Sequence, residues 1–143
     1  MDKKISFQHD CFVCGSKEHA GMGITWYQKD DRSIFSEVTF SLAQQGPPGY
    51  VHGGAIAALL DEAMGLAVWL ADYRVVTVNL NITYRRPVPL GEKTLIVAHI
   101  SGKENPHFFT KGEIFLANGT TAVTAFGTFV EATHFLTDLP KLT

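Results

Sequence analysis

The sequence predicts an α+β fold in which one long helix is covered by an antiparallel β-sheet. Near the middle of the chain, a stretch of about eighteen mostly small and apolar residues has the length and composition of a buried helix. Four long segments with a period of two follow it without an intervening helical pattern. Consecutive strands of this kind form antiparallel sheets, so the element order predicts α+β rather than α/β.

Two shorter segments before the helix predict a β-hairpin. GITWYQ (23–28) and SIFSEVTF (33–40) alternate or nearly alternate, and the polar turn KDDR separates them. The next segment, SLAQQGPPGY, is predicted to be an irregular loop because Pro47 and Pro48 exclude regular strand pairing. The helix is expected to run from His52 or Gly53 to about Ala71.

The four strands after the helix are predicted at residues 74–88, 93–103, 107–117 and 120–132. Asn118-Gly119 lies between the last two and is typical of a tight hairpin turn. The chain has 143 residues, which fits a single domain over 1–143 with an N-terminal extension, 1–20, that contains a CxxC turn.

Composition narrows the classes of function. The net charge is -2, so no global field recruits nucleic acid or an anionic membrane. The N-terminal lysines are not followed by an apolar core, and Asp61 and Glu62 interrupt the longest apolar run, 55–71. We therefore expect a cytoplasmic protein with neither nucleic-acid nor membrane partners.

The two cysteines, Cys11 and Cys14, lie in the segment CFVCG. CxxC supplies half of a tetrahedral zinc site, but no second CxxC exists; His9 and His19 are near enough in sequence to be considered as the missing pair. The favoured interpretation is a reduced, partly buried pair of thiols in an N-terminal turn. No metal is expected.

The predicted helix carries two adjacent carboxylates. Asp61 and Glu62 have only small or apolar residues at spacings of three and four, and neither has a basic partner on the helix. A carboxylate in such surroundings loses hydration, so its pKa is expected to rise. Groups of this kind cluster at functional sites, although pairing with an arginine from the sheet is an equally simple explanation.

His52-Gly53-Gly54 begins the same helix. The N-terminus of a helix presents unpaired N–H groups and the positive end of a dipole, which suit an anion or a developing oxyanion. Gly53 and Asp61 are separated by about 12 Å along one helix, so a single acyl carbonyl cannot contact both. If both act on one carbon, they come from two chains, and the sequence then predicts a homodimer with two sites at its interface.

The segments VHGGAIAALLDEAMG and VVTVNLNITYRRPVPLGEKTLIVAHI resemble the hotdog-fold thioesterase superfamily. The resemblance covers about residues 11–131, and it is greatest to small acyl-coenzyme A thioesterases of the phenylacetic-acid-pathway type and to a related group with an N-terminal CxxCG. It implies a hotdog fold, with a central helix wrapped by a curved antiparallel sheet, and assembly into dimers and often tetramers.

The resemblance also implies roles for individual residues. Asp61 would serve as general base or nucleophile, with Glu62 as the less favoured acid. The Gly53 N–H of the other subunit would polarise the thioester carbonyl, Thr77 would help hold the attacking water, and His52 would orient the loop. Coenzyme A is part of the substrate, and no separate cofactor is required.

Related proteins often carry Asn or Gln where this chain has Gly46, and Gln44 or Gln45 are candidates to supply the missing polar side chain.

Coenzyme A carries phosphates, which predicts a local basic patch. Arg85 and Arg86 end one strand and Lys103 lies at the end of another, so we expect these strand ends to form a phosphate clamp, with Gly54 as a further binding residue.

Asn79 and Asn81 alternate with apolar residues in step with Thr77, which predicts that the three side chains share one polar face. This face is expected to line the site or to bridge the dimer.

Three functions fit these observations. Hydrolysis of an acyl-CoA thioester to the free acid and coenzyme A is the first. The second is a hotdog hydratase or dehydratase, which uses a different pattern of histidine and acid. The third is a non-catalytic module that binds acyl-CoA or an acyl carrier, and such a module has no need for a desolvated carboxylate beside the thioester carbon.

Overall fold

The computed structural model describes residues 1–6, 11–19 and 21–136, apart from the side chain of His19. The helix, α1, spans Gly53–Trp69, and a seven-stranded sheet covers it. The strands are β1 (Lys3–Lys4), β2 (Tyr27–Gln28), β3 (Ile34–Thr39), β4 (Val75–Tyr84), β5 (Lys93–Glu104), β6 (His107–Phe115) and β7 (Thr121–Glu131). This arrangement confirms the predicted α+β, hotdog-type fold.

All neighbouring strands are antiparallel, in the order β1-β2-β3-β5-β6-β7-β4. The strand that follows the helix in sequence is therefore placed at the sheet edge, beside the last strand. The predicted hairpin between β6 and β7 is present, and Gly119 has the positive φ of 85° that its turn requires. No helix in the described part of the chain is both long and apolar enough to cross a membrane.

The predicted β2–β3 hairpin is also present, but β2 has only two residues. The preceding residues are engaged elsewhere: the N–H groups of Met22 and Ile24 donate to the carbonyls of Phe12 and Val13. Gly23, with φ 70°, turns the chain between them. The backbone of residues 22–24 therefore pairs with the N-terminal turn, although the sequence pattern predicted that residues 23–26 belong to the strand.

The core lies between α1 and the concave face of the sheet. The helix residues that are buried against it are Ile56, Leu59, Leu60, Ala63, Met64, Leu66, Ala67 and Val68. Two sheet glycines allow the helix to approach closely. A Cβ on Gly112 would lie 3.0 Å from Leu60, and a Cβ on Gly127 would lie 3.2 Å from Met64 and 2.8 Å from the hydroxyl of Thr110.

The edge strand β4 is the least buried of the long strands. Only Val75 is fully buried, and Val78, an apolar residue, keeps 55% of its surface exposed. Exposed apolar groups on an unpaired edge are typical of a surface that another chain covers.

Candidate active site

Asp61 lies in the middle of α1 and contacts the first half of β4. The hydroxyl of Thr77 donates a 2.7 Å hydrogen bond to Asp61 Oδ1, and Asp61 is only partly buried. The structure thus brings together the two residues to which the resemblance assigns a base and a water-holding hydroxyl. One carboxylate oxygen is held in a fixed direction, and the side chain remains accessible from the edge of the sheet.

The N-terminus of α1 is capped by His52. Its Nδ1 accepts a 2.8 Å hydrogen bond from the Gly54 N–H, so the imidazole takes the place that Ser, Thr, Asp or Asn commonly fills at an N-cap. His52 therefore has a structural contact as the N-cap of α1, and its expected loop-orienting role stays a prediction. Because the Gly54 N–H is already engaged, it is not a free donor for a ligand.

Gly53, the first residue of α1, leaves its N–H available. No acceptor for this N–H is found among the residues that the structure describes, and the first N–H groups of a helix have no intrahelical partner. Its carbonyl accepts a 2.6 Å hydrogen bond from the hydroxyl of Tyr84. The exposed tip of β4 therefore holds the Gly53–Gly54 peptide, which directly follows the peptide that bears the candidate oxyanion donor.

Tyr84 is a site residue that the sequence did not reveal. It ends β4 only one residue before Arg85, and by pattern it reads as an ordinary strand aromatic. Burial raises the pKa of its phenol, and the hydroxyl donates to the Gly53 carbonyl.

The prediction that Thr77, Asn79 and Asn81 share one face is wrong. β4 has a bulge between Thr77 and Asn79, so Thr77 lies opposite Phe129, a buried residue of β7, whereas Asn81 lies opposite the exposed Phe126. Directly opposed residues project on the same side of an antiparallel pair. The bulge therefore turns Thr77 towards the helix and the two asparagines towards the outer face.

The inward face of β4 contacts α1 at two separate points. Thr77 contacts Asp61 near one end of the strand, and Tyr84 contacts Gly53 at the other. Gly53 and Asp61 both belong to α1, so the separation of about 12 Å expected from their spacing along a helix applies to this chain. Within one chain, the candidate base and the candidate oxyanion donor belong to opposite ends of the β4 edge.

Glu62 faces the cysteines of the N-terminal turn, and no arginine pairs with it among the residues that the structure describes. Its Oε2 lies 3.3 Å from Cys11 Sγ, and its Oε1 lies 3.9 Å from Cys14 Sγ. Burial, followed by the neighbouring Cys11 thiolate, raises the pKa of Glu62 to about 8. A hydrogen bond from Cys14 lowers the pKa of Cys11 to about 5, and the same bond raises the pKa of Cys14. The cluster thus retains the Glu62 and Cys14 protons near neutral pH.

The three residues of the predicted phosphate clamp, Arg85, Arg86 and Lys103, do not lie close together within one chain. Arg85 and Arg86 follow β4 beside the start of β7, and Arg85 Nε donates to the hydroxyl of Thr124. Lys103 lies at the far end of β5, where its Nζ donates to the Tyr73 hydroxyl and lies over the rings of Tyr73 and Phe108. The prediction that these strand ends form one clamp is therefore wrong for a single chain, because β4 and β5 carry them at opposite ends of the sheet.

The structure explains why residue 46 is glycine and not the Asn or Gln that related proteins often carry. A Cβ at this position would lie 2.8 Å from the Cα of His52, so the loop passes too close for any larger residue. The side-chain oxygen of Gln44 accepts from Ser41, and that of Gln45 accepts from the Gly49 N–H. Both candidate replacements are therefore used to shape the loop.

A cleft of about 530 Å³ lies beside the N-terminus of α1. Gln45, His52 and Gly54 line one side, and Phe12 and Lys17 of the N-terminal segment line the other. The cleft therefore joins the helix N-terminus to the CxxC turn. His9 lies outside the described residues, as does the side chain of His19, so their predicted part in a metal site stays a prediction.

The chain matches a family model and several curated proteins. The family model described as "Thioesterase superfamily" matches residues 48–123. Bovine acyl-coenzyme A thioesterase THEM4 is 35% identical over 107 residues, which cover 71% of this chain and 42% of that protein. The chain spans about two fifths of the length of the curated relatives that it matches.

Solved structures show the same fold. A crystal structure described as a thioesterase superfamily protein has a TM-score of 0.80 and 31% identity, covering 85% of this chain and 60% of that one. The PaaI protein from the phenylacetic acid degradation operon of E. coli has a TM-score of 0.71 at 19% identity, covering 77% and 80%. The family model matches more than half of the chain, at the segment that holds α1 and β4, and the chain therefore belongs to the thioesterase superfamily.

Proposed function

We propose that the protein hydrolyses an acyl-coenzyme A thioester to the free acid and coenzyme A. The observation that carries the proposal is the partly exposed Asp61 carboxylate, which Thr77 holds in place. The same helix begins with the Gly53 N–H, which has no acceptor among the described residues. The name of the curated relatives, acyl-coenzyme A thioesterase, supports the substrate class. A non-catalytic binding module would not need a carboxylate in this position.

Asp61 is proposed as the general base or the nucleophile. A thioester carbonyl is reactive enough for a carboxylate either to deprotonate an attacking water or to attack directly. The Thr77 hydroxyl fixes the direction of Oδ1 and leaves the second oxygen for the reaction. Thr77 is thus proposed to position the carboxylate and the water together.

The Gly53 N–H of the partner subunit is proposed as the oxyanion donor. β4 is the edge of the sheet in the described part of the chain, with exposed apolar side chains, which supports pairing between two copies at this edge. If two β4 strands pair antiparallel about an axis near their middle, the Thr77 end of one lies beside the Tyr84 end of the other. That arrangement would bring Asp61 to Gly53 of the partner subunit. Assembly of two such dimers into a tetramer is the further expectation.

Pairing of two β4 strands would also affect the proposed binding of the coenzyme A phosphates. It would bring the end of the sheet that carries Arg85 and Arg86 in one subunit towards the end that carries Lys103 in the other. The phosphate clamp is therefore proposed for the dimer rather than for one chain. Gly54 is proposed to contribute by allowing close approach at the cleft, since its N–H is taken by His52.

The test is hydrolysis of a panel of short, medium, long and aromatic acyl-CoAs, measured as release of free thiol. Asp61→Asn is expected to lower kcat by about 100-fold or more, whereas Glu62→Gln retains most of the activity. Binding of acyl-CoA without any thiol release would favour the non-catalytic module. Loss of activity only in Glu62→Gln would assign the reaction to the other carboxylate.

A further inference from the structure

We propose that Cys11, Cys14 and Glu62 bind one Zn²⁺ ion that fastens the N-terminal turn to the middle of α1. One ligand atom from each residue lies within 4.8 Å of the other two, and all three side chains are partly buried. The site joins residues that are 48 and 51 positions apart in sequence. It is separate from the proposed reaction, and its test does not depend on activity.

The distances fit a tetrahedral ion. With Zn–S bonds of about 2.3 Å and Zn–O bonds of about 2.0–2.2 Å, two ligand atoms of a tetrahedron lie about 3.5 Å apart. Cys11 Sγ lies 3.3 Å from Glu62 Oε2 and Cys14 Sγ lies 3.9 Å from Glu62 Oε1, so each sulfur is near this separation from one carboxylate oxygen. Small movements of side chains would complete the three-ligand set, and water would fill the fourth position.

The backbone around Cys11 is arranged to support a thiolate ligand. The N–H groups of Val13 and Cys14 each lie 3.4 Å from Cys11 Sγ and donate to it. Gly15 closes the turn by donating to the Cys11 carbonyl at 2.8 Å, and a Cβ on Gly15 would clash with that oxygen. Residue 15, directly after the second cysteine, must therefore be glycine. The N–H groups of the turn supply the kind of outer-shell hydrogen bonds that orient metal ligands.

The choice of Zn²⁺ follows from the ligand types. Binding of the ion releases the protons of Cys14 and Glu62, since metal ligands are deprotonated. The resulting pair of thiolates favours Zn²⁺ over Mg²⁺ or Ca²⁺, which prefer oxygen-only sites, and a carboxylate is a common third zinc ligand. The sequence prediction of no metal relied on the lack of a second CxxC. It did not include Glu62, because a residue on the central helix is brought to the turn only by the fold.

The turn itself is fixed in place without the ion. The carbonyls of Phe12, Val13 and Gly15 accept hydrogen bonds from the N–H groups of residues 22–24. The cysteines are therefore presented to α1 by a preformed loop. Zn²⁺ would add the direct connection from this loop to the helix turn that also carries Asp61.

The experiment measures the metal content of the whole chain, expressed with ZnCl₂ and purified without chelator, by mass spectrometry. We expect about one zinc per chain. Cys14→Ser and Glu62→Gln are each expected to weaken zinc binding by more than about 100-fold, because a lost ligand exceeds the 10–100-fold effect of a lost outer-shell contact. Glu18→Gln, an exposed carboxylate of the same N-terminal segment, is the matched control and retains the metal.

A second measurement uses only the unmodified protein, so that misfolding of a variant cannot decide the outcome. Addition of CoCl₂ to the chelator-treated chain is expected to give thiolate-to-cobalt charge transfer and the intense visible bands of a tetrahedral ion. Absence of both zinc and these bands overturns the proposal. Zinc retained at full affinity in Glu62→Gln also overturns it, because the site would then not include the helix.

Discussion

The Thr77 hydroxyl donates a 2.7 Å hydrogen bond to Asp61 Oδ1, and this bond joins the edge strand β4 to the centre of α1. The bulge that follows Thr77 makes the contact possible, since it allows Thr77 to face the helix while Asn79 and Asn81 face outwards. The bulge thus directs one edge-strand hydroxyl at the helix, and the rest of β4 stays paired with β7.

Replacement of Thr77 by Val is predicted to lower kcat by about 10–100-fold, since hydrogen bonds to charged groups contribute about 1.5–3 kcal/mol. Thr77→Ser keeps the hydroxyl and is expected to retain most of the activity. Steady-state thiol release with the best acyl-CoA of the panel provides the measurement. Equal kcat values for Thr77→Val and the unmodified protein would remove Thr77 from the site.

Gly53→Pro is predicted to remove the oxyanion donor while preserving the helix. Proline is favoured at the first helical position, and His52, with φ -61° and ψ 133°, already has the conformation that a residue before proline adopts. Loss of one such donor is expected to lower kcat by about 10²–10³-fold. The measurement is kcat for thiol release, with circular dichroism to verify the helix.

Gly53→Ala is the matched control for that experiment because it keeps the N–H. A Cβ at residue 53 would meet the Tyr84 ring and hydroxyl at 3.5–3.6 Å, which is ordinary contact. We expect Gly53→Ala to retain most of the activity. If alanine lowers kcat as far as proline does, the loss comes from crowding at Tyr84 and not from the missing donor.

The elements that the sequence predicted correctly are those with a long, unbroken pattern. The period of two gave β5 and β7 nearly to their observed ends, and the HGG motif located the start of α1. The prediction for Thr77 assumed that alternate residues of a strand face the same side, which fails where a bulge adds one residue. A bulge is defined by pairing with a second strand, so the sequence of β4 alone does not reveal it. Contacts of Glu62 with Cys11 and of Tyr84 with Gly53 depend on tertiary packing, which periodicity does not encode.

His52→Ala is predicted to destabilise the fold by about 0.5–2 kcal/mol, as expected for the loss of an N-cap. His52→Asn supplies a side-chain oxygen to the Gly54 N–H and is expected to recover most of this loss. The measurement is urea unfolding at one fixed protein concentration, because the proposed dimer would make apparent stability concentration-dependent. An alanine variant as stable as the unmodified chain would show that the 2.8 Å contact contributes nothing to stability.

Gly127→Ala is predicted to destabilise the fold by about 1–3 kcal/mol through overpacking between the sheet and α1. The added methyl would lie 2.8 Å from the Thr110 hydroxyl and 2.9 Å from the Phe129 ring. Gly102→Ala is the matched control in β5, where the new methyl meets only Phe109 at 3.6 Å, and we expect a change within about 0.5 kcal/mol. Urea unfolding of both variants tests the prediction, which fails if the two glycines tolerate alanine equally.

Mixed dimers are predicted to recover activity if each site is built from two subunits. A subunit with Gly53→Pro still supplies Asp61, and a subunit with Asp61→Asn still supplies the Gly53 N–H, so a heterodimer of the two contains one intact site. Each parent variant is expected to lose about 100-fold or more, whereas the heterodimer, isolated through two different affinity tags, should regain about half of the unmodified rate. If the base and donor acted within one chain, both sites of the heterodimer would stay defective. No recovery would therefore refute the shared site, and with it the reason for placing the reaction at the β4 edge.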